Sequence, residues 1–432
     1  MINLIKKQSP ARIISLGFAS LILIGSILLS LPCSIKDGVN LKYIDALYTS
    51  ASAVCVTGLI SVDVGDTFTT LGQFFVAMLI QFGGLGVTTM GVGIILVFGK
   101  KVSIKGRTLI RETLNTDSGS GLIKLIRRIF IVTIFFEVLG AILSFLVFLK
   151  DYPVYDALKI SIFHSIAAFN NSGFDILGNY QSLIPYQNNY FLNAVTCILI
   201  FFGGIGFLVM YDMWKTRFCL KKLSMHSKVV LSVSIVLILL GALLIKFTEN
   251  ISWLGSFFTS VSARTAGFAT YPIGKFTRPG LLVLSVLMFI GASPGSTGGG
   301  IKTSTFFVLL CTIKSAATNE TEKAFRYSVP KDAFRKAAVI TLLAIGVIIL
   351  GAYIMMIFEP NIAFDDVLFE VTSAFGTVGL STGITPTLCV GSKLLSIFIM
   401  YIGRIGPLTV ATLWHFSRGD RVRFPDGNIS VG

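Results

Sequence analysis

Long runs of apolar residues constrain this chain more than any other feature of its sequence. Four such runs are Ile13–Leu31, Leu125–Leu149, Val229–Phe247 and Lys336–Phe358. A run of about 20 apolar residues is long enough to cross a bilayer as a helix. The chain as a whole is 53% hydrophobic and 13% charged, with a mean hydropathy of +0.81. Because backbone in lipid must satisfy its own hydrogen bonds, the sequence predicts an all-α polytopic membrane protein.

The net charge of +15 does not indicate nucleic-acid binding, because the basic residues follow the predicted topology. Of the 36 Lys and Arg residues, 25 lie before the first span, in alternate loops and in the tail, whereas 8 lie in the opposite loops. The positive-inside rule therefore places both termini in the cytoplasm of a plasma-membrane protein. The same basic loops are available docking faces for a cytoplasmic subunit or for anionic membrane lipid.

The chain repeats one plan four times. A long outward helix is followed by a shorter amphipathic stretch, a turn that contains Gly, and a second long helix that returns to the cytoplasm. The repeats are 11–98, 125–213, 228–312 and 336–416, and a cytoplasmic tail follows at 417–432. The shorter stretches are Tyr43–Ala53, Val154–Ala168, Trp253–Ser262 and Phe364–Ala374. They are too short to cross about 30 Å of hydrocarbon, so we expect re-entrant pore helices around one central pore.

A turn of similar pattern follows each predicted pore helix. The four turns are Val56-Thr57-Gly58-Leu59, Asn171-Ser172-Gly173-Phe174, Thr265-Ala266-Gly267-Phe268 and Thr377-Val378-Gly379-Leu380. The fourth is close to the Thr-Val-Gly-Tyr-Gly filter of potassium channels, whose backbone carbonyls replace the ion's hydration shell. One such turn carries little information, but four can surround one ion. The first three residues of each turn are therefore predicted to form a selectivity filter that binds potassium.

Each returning helix also carries a glycine motif, 24 to 30 residues after the glycine of the turn. The motifs are Phe82-Gly83-Gly84-Leu85-Gly86, Phe202-Gly203-Gly204-Ile205-Gly206, Ile290-Gly291-Ala292 and Ile402-Gly403-Arg404-Ile405-Gly406. Small residues at helix crossings are common in membrane bundles, but their regular offset supports the repeat. In the third returning helix, Ser293–Thr303 is rich in Gly and contains Pro294. Since Gly costs a helix about 1 kcal/mol and Pro about 3, we expect this helix to break there.

These features resemble the bacterial Trk/Ktr potassium transporters over nearly the whole chain. The segments that carry the resemblance are Phe169–Phe174, Ala263–Phe268, Ser293–Thr303 and Phe375–Pro386. The first span begins by about Ile13, which leaves no room for the extra N-terminal helix pair of longer Trk-type relatives and favours the Ktr branch. The resemblance implies four pore-like units around a pseudo-fourfold axis, a homodimer, and a KtrA-like cytoplasmic ring that binds nucleotide and regulates transport.

Together with the family resemblance, the predicted break suggests an intramembrane gate under the filter. The gate residues are Ser293, Pro294, Gly295, Gly298, Gly299, Gly300 and Lys302, with Arg404 from the last returning helix. Charge at membrane depth is costly and usually functional, and the charge of Arg404 would repel a passing cation. A static kink and an ion pair between Arg404 and Glu137 are the structural alternatives. Arg264 is expected to brace the filter by hydrogen bonds to carbonyls, and Glu370 is expected either to brace it likewise or to attract cations.

The predicted function is potassium uptake by the ion-translocating subunit of a Ktr-type system, with sodium dependence left open. The alternative is a monovalent cation symporter with alternating access, although such folds usually have two inverted repeats. An enzyme is not indicated, because the spans contain no cluster of acid, base or metal-binding residues. The six cysteines are scattered, and only a Cys33–Cys389 bridge between outer loops remains open.

Overall fold

The computed structural model describes residues 10–97, 122–411 and 413, and most of these residues are helical. Along the chain, the main helices are α1 (Pro10–Leu29), α2 (Tyr43–Cys55), α3 (Thr70–Leu85), α4 (Val87–Val97), α5 (Leu122–Phe148), α6 (Val154–Phe169), α7 (Tyr190–Ile205), α8 (Phe207–Lys215), α9 (Met225–Thr248), α10 (Trp253–Ser262), α11 (Arg278–Phe289), α12 (Thr303–Thr318), α13 (Lys331–Phe358), α14 (Phe364–Gly376), α15 (Val390–Ile405) and α16 (Pro407–Ala411). A short hairpin, β1 (Lys323–Ala324) and β2 (Tyr327–Ser328), joins α12 to α13.

Four of these helices, α1, α5, α9 and α13, are long and apolar enough to cross a membrane. Each of them begins one of the predicted repeats, so the predicted all-α membrane architecture is confirmed. The predicted tail at 417–432 and most of the basic loop 99–128 lie outside the described residues.

The helices α2, α6, α10 and α14 follow these spans and are much shorter, with 13, 16, 10 and 13 residues. At 1.5 Å per residue they are about 15 to 24 Å long, which is less than the thickness of the hydrocarbon core. Their C-terminal parts are buried; in α2 every residue from Thr49 to Cys55 is buried. These helices therefore end inside the protein, as expected for pore helices.

The returning helices differ from the prediction, because breaks occur in all four and not only in the third. Gly86, Gly206 and Gly406 interrupt the first, second and fourth, with φ of 84°, 92° and 99°. Only glycine adopts such a conformation without a steric penalty, so each helix stops at the last glycine of its motif. At Gly206 the helix axis turns by 95° between α7 and α8.

The break in the third returning helix is longer and falls at the predicted place. Helix α11 ends at Phe289 and α12 begins at Thr303. Ile290 and Ile301 pair as an isolated parallel bridge, which closes residues 290–302 into a loop. We call these residues the intramembrane loop.

One packing contact recurs in the first three repeats and was not recognised in the sequence. A glycine of the spanning helix lies against a serine of the pore helix: Gly25 against Ser50, Gly140 against Ser165, and Gly241 against Ser260. The serine hydroxyl donates to a spanning-helix carbonyl one turn earlier, at 2.7, 2.6 and 2.7 Å. In the fourth repeat Gly351 lies against Val371 instead. The missing side chain thus allows each pore helix to approach its spanning helix closely.

Replacing Gly140 by Ala should destabilise the protein. The new Cβ would lie 2.6 Å from Leu199 Cδ1 and would collide with the Ser165 hydroxyl, which costs about 1–3 kcal/mol. Gly346→Ala in α13 is the matched control, because a Cβ there meets nothing within 4 Å. Thermal unfolding in detergent should show a lower midpoint for Gly140→Ala only. Equal midpoints for the two variants would contradict the packing role.

Polar contacts near the outer ends of the helices join each repeat to the next. In chain order, the Asn179 and Tyr180 N–H groups donate to Asp66 and Asp63 (both 2.7 Å), Leu183 N–H donates to Ala269 O (3.0 Å), Arg278 pairs with Asp365 (3.1 Å), and Lys393 pairs with Asp45 (2.8 Å). The last pair is buried and joins the fourth repeat to the first. Cys33 and Cys389 are free, so the bridge between them is absent.

Candidate functional site

The four glycine turns, residues 56–58, 171–173, 265–267 and 377–379, share one backbone conformation. The first residue of each has a positive φ, of 58° at Val56, 57° at Asn171, 74° at Thr265 and 50° at Thr377. The glycine that ends each turn has a φ of 85°, 70°, 80° or 96° in the same order. A positive φ costs a non-glycine residue about 1–3 kcal/mol, and such strain is concentrated at functional sites. Its recurrence in four different sequences indicates that the backbone itself is required.

The glycine turns contact one another in a closed cycle. A Cβ built on each glycine would meet a carbonyl oxygen of the next turn: Gly58 meets Ser172 O, Gly173 meets Ala266 O, Gly267 meets Val378 O, and Gly379 meets Thr57 O. The fourth contact returns to the first repeat, so the turns surround one axis. The structure therefore brings all twelve predicted filter residues together, with backbone carbonyls at each contact between repeats.

The surroundings of this ring favour a cation. The turn residues contain no ionisable side chain, and Thr57, Ser172, Ala266 and Val378 are fully buried. Each of the four pore helices ends at its turn, and a helix C-terminus carries about half a negative charge. Oxygen dipoles and four helix ends of the same polarity thus converge on a site without a formal charge.

Hydrogen bonds attach the turns to their pore helices. In the first and fourth repeats a serine six residues before the glycine accepts its N–H: Ser52 Oγ from Gly58 at 3.0 Å and Ser373 Oγ from Gly379 at 3.1 Å. These serines were missed in the sequence, although their equal spacing from the glycine was a usable signal. The second and third repeats have Ala167 and Val261 at this position.

Arg264 and Glu370 brace the site as expected. Arg264 is 7% exposed and donates to Ser234 O at 3.1 Å and to Gly291 O at 3.3 Å. It therefore connects the third turn to α9 and to the glycine motif of the third repeat. Glu370 is fully buried and accepts hydrogen bonds from Ser381, at 2.8 Å, and from Thr385. It thereby fixes the segment that follows the fourth turn.

Glu137 does not pair with Arg404, so that structural alternative is wrong. Its carboxylate accepts from Asn170 Nδ2 at 3.1 Å, and the same nitrogen lies 2.8 Å from Gln81 Oε1. Asn170 directly precedes the second glycine turn. This network, missed in the sequence, therefore connects the second turn to spans of the first and second repeats.

The intramembrane loop lies against the glycine turns. Gly299 N–H donates to Thr377 Oγ1 at 2.9 Å, and a Cβ on Gly298 would collide with the Thr265 hydroxyl. The loop is also attached to the second repeat, because Ser293 N–H donates to Gly204 O at 3.0 Å and Thr297 N–H to Gly203 O at 3.3 Å. The loop therefore contacts the first residue of the third turn, the first residue of the fourth turn, and the glycine motif of the second repeat.

Arg404 connects this loop to the first repeat. Its guanidinium donates to Thr297 O in the loop, to Gly83 O, and to Gly84 O at 3.1 Å. Lys302 Nζ instead donates within the loop, to Gly298 O at 2.7 Å. Together these contacts hold a loop at the convergence of all four repeats.

Comparisons with known proteins agree with this architecture. The model of the TrkH family, described as a cation transport protein, matches residues 17–418. The Ktr system potassium uptake protein B of Bacillus subtilis (strain 168) is 37% identical, over 98% of this chain and 97% of the relative. The potassium/sodium uptake protein NtpJ of Enterococcus hirae is 35% identical, over 99% of this chain and 98% of the relative.

Two further similarities extend these findings. The Ktr system potassium uptake protein B of Vibrio alginolyticus is 34% identical, over 99% of this chain and 96% of the relative. The crystal structure of the potassium transporter TrkH from Vibrio parahaemolyticus is similar with a TM-score of 0.74, at 18% identity, over 95% of this chain and 86% of that chain. The fold is therefore shared. This chain belongs to the TrkH family of cation transport proteins.

Proposed function

We propose that the chain is the ion-translocating subunit of a Ktr-type potassium uptake system. The closed cycle of glycine turns carries this proposal, because four sets of backbone carbonyls around one axis can replace the hydration shell of a monovalent cation. The relatives named for potassium uptake support potassium as that ion. The relative named for potassium and sodium keeps sodium as a second candidate.

In this proposal the twelve residues of the glycine turns form the selectivity filter. The carbonyls of Thr57, Ser172, Ala266 and Val378 belong to one layer, since each lies at a contact between neighbouring turns. The turns differ in sequence at their other positions but share the positive φ of their first residue and of their glycine, so the proposed filter depends on backbone carbonyls and not on side chains.

The intramembrane loop acts as the gate of the same pathway. Ser293, Pro294, Gly295, Gly298, Gly299, Gly300 and Lys302 supply a segment that contacts the turns, and Arg404 holds it in place. Irregular backbone at membrane depth is tolerated where it is buried in protein or lines water. Opening requires the loop to leave the turns, which breaks the hydrogen bonds of Arg404 and Gly299.

The proposed function includes a membrane topology, a cytoplasmic partner and a dimer. The excess of bases in alternate loops supports cytoplasmic termini, and the names of the Ktr system relatives support a KtrA-like cytoplasmic partner. A homodimer completes the proposed assembly.

Broken helices favour one competing mechanism, a carrier with alternating access. All four returning helices are interrupted, and discontinuous helices also form the midplane sites of symporters. The two mechanisms differ in flux. A carrier gives slow uptake that saturates, whereas an open filter gives channel-like flux.

Uptake measurements test the proposed function. Bacterial cells that lack their own potassium uptake systems should take up potassium or rubidium when they express this chain with a KtrA-like subunit. Measurements with and without sodium would decide the sodium dependence. Absence of uptake of either ion, with the protein present in the membrane, would refute the proposal.

Asp175 should make uptake depend on external pH. It lies in the outer loop directly after the second turn, and burial together with the nearby charge of Asp63 raises the pKa of Asp175 to about 7. Acidification from pH 8 to 6 neutralises it, so we expect the apparent potassium affinity to fall about twofold as attraction at the mouth weakens. The concentration dependence of uptake measures this. Asp175→Asn should flatten the response and Asp37→Asn should not; an unchanged response in Asp175→Asn would contradict the assignment.

A further inference from the structure

A cavity of about 260 Å³ lies between α5 and α8, away from the glycine turns. Leu125, Arg128 and Val132 of α5 line it, together with Phe207, Tyr211 and Trp214 of α8. Five of these six side chains are aliphatic or aromatic, and one is a permanent cation. The cavity therefore suits a ligand that is apolar along most of its length and anionic at one end.

The bend at Gly206 determines where the cavity lies in the membrane. Helix α8 turns away from α7 by 95°, so it does not continue the path of that helix across the membrane. Trp214 is 66% exposed at its end, and tryptophan is enriched at the level of lipid headgroups. The apolar residues of α5 next to the cavity, Ile131 and Ile134, are 56% and 57% exposed on the spanning helix. These exposed side chains are typical of the boundary between acyl chains and headgroups, and we infer that the cavity lies there.

The charges at this end of the molecule favour an anion. The Arg128 guanidinium lies 4.9 Å from the centroid of the Tyr211 ring, and Lys124 and Arg127 are exposed on the same helix. Among the ion pairs of the described residues, none involves Arg128. The nearby acid of α8, Asp212, already accepts hydrogen bonds from Ser224 and Ser227. Within the described residues Arg128 thus has no carboxylate partner, and its guanidinium can bind a phosphate with two parallel hydrogen bonds.

We propose that this cavity binds an anionic phospholipid of the cytoplasmic leaflet, with an acyl chain between α5 and α8 and the phosphate on Arg128. The cytoplasmic side rests on the topology of the proposed function. A membrane lipid fits better than a folded partner, because the cavity is small, mostly apolar and adjacent to the exposed apolar side chains of α5.

The lipid site is connected to the intramembrane loop. Phe207, which lines the cavity, donates its backbone N–H to Gly295 O of the loop at 2.9 Å. Gly203 and Gly204, at the end of α7, accept N–H groups from Thr297 and Ser293. A lipid that fixes α8 against α5 therefore also fixes one attachment point of the loop. Bound lipid is expected to favour the closed gate.

Native mass spectrometry of the purified full chain tests the site with phosphatidylglycerol as the probe and phosphatidylcholine as the comparison. Loss of a charge-assisted hydrogen bond to phosphate should lower phosphatidylglycerol retention about tenfold in Arg128→Gln. Arg127→Gln is the matched control, because Arg127 is exposed but does not line the cavity, and it should retain the lipid. Val132→Trp should lower retention by filling the apolar part.

Flux in liposomes tests the connection to the gate. Adding phosphatidylglycerol to phosphatidylcholine vesicles should lower the flux of the wild-type chain and of Arg127→Gln, but not of Arg128→Gln. Equal lipid retention in Arg128→Gln and Arg127→Gln would overturn the site. A changed oligomeric state of Arg128→Gln or Val132→Trp without loss of lipid would also overturn it, because a second copy of the chain would then cover the cavity. Lipid retention without flux in any vesicle, even after a KtrA-like subunit has been added, would refute the proposed function and leave the lipid site standing.

Discussion

Replacement of Gly379 by Ser is expected to reduce potassium uptake about 100-fold and to remove the preference for potassium over sodium. Gly379 has a φ of 96°, and a Cβ there would collide with the Thr57 carbonyl oxygen of the first repeat. The serine side chain must therefore push apart two of the four turns. Initial uptake rates of potassium and sodium measure the effect.

Gly383→Ser is the matched control for this change. Gly383 lies four residues further along, has a φ of 101°, and would meet nothing within 4 Å if a Cβ were added. It thus carries the same backbone strain without a contact to another repeat. If both variants lost uptake equally, strain rather than the ring would explain the result, and the filter assignment would fail.

Replacement of Arg404 by Ala is expected to raise potassium flux about tenfold or more in the absence of the regulatory partner. The Arg404 guanidinium bonds to Thr297 O in the loop and to Gly83 O and Gly84 O outside it. Each charge-assisted hydrogen bond contributes about 1.5–3 kcal/mol, so losing even one shifts the equilibrium toward the open loop by about tenfold or more. Flux through the reconstituted protein measures this shift.

Two further variants test the hydrogen bonds of Arg404 separately from its charge, and the loop separately from Arg404. Arg404→Lys keeps the charge but loses the planar fork that joins two repeats, so we expect an intermediate increase in flux. Deletion of residues 294–300 should raise flux at least as much as Arg404→Ala. Unchanged flux in the deletion variant would show that the loop is a static kink.

The four pore helices and their turns could be predicted because each signal is local. Helix α10 has the predicted bounds, and α2 begins at the predicted residue, Tyr43. In each repeat the residues that end the pore helix, a small residue and Gly, directly follow the short amphipathic stretch in the sequence. The four turns were recognised for the same reason, because each follows such a stretch directly in the sequence.

The breaks at Gly86, Gly206 and Gly406 could not be predicted in the same way. A glycine pair in an apolar helix is equally typical of close helix packing, and indeed Gly83, Gly203 and Gly403 pack against pore-helix carbonyls. Only the backbone shows that the last glycine of each motif has a positive φ. One motif thus combines a packing glycine and a hinge glycine.

The contacts between distant repeats were also beyond the sequence. Lys393 is one of the eight bases that the sequence places in the outer loops, yet it is 7% exposed and pairs with Asp45 at 2.8 Å. The two residues are 348 positions apart. They meet because the fourth repeat packs against the first, and no local sequence pattern predicts that contact. The bonds from Asn170 to Gln81 and Glu137 depend on the same assembly.

A density map of the protein with rubidium or thallium in place of potassium would test the central claim most directly. Anomalous scattering should place a heavy cation on the axis of the glycine turns, among the carbonyl oxygens of Thr57, Ser172, Ala266 and Val378. Excess sodium should leave that peak in place. Absence of the peak, or a peak only outside the ring, would contradict the account.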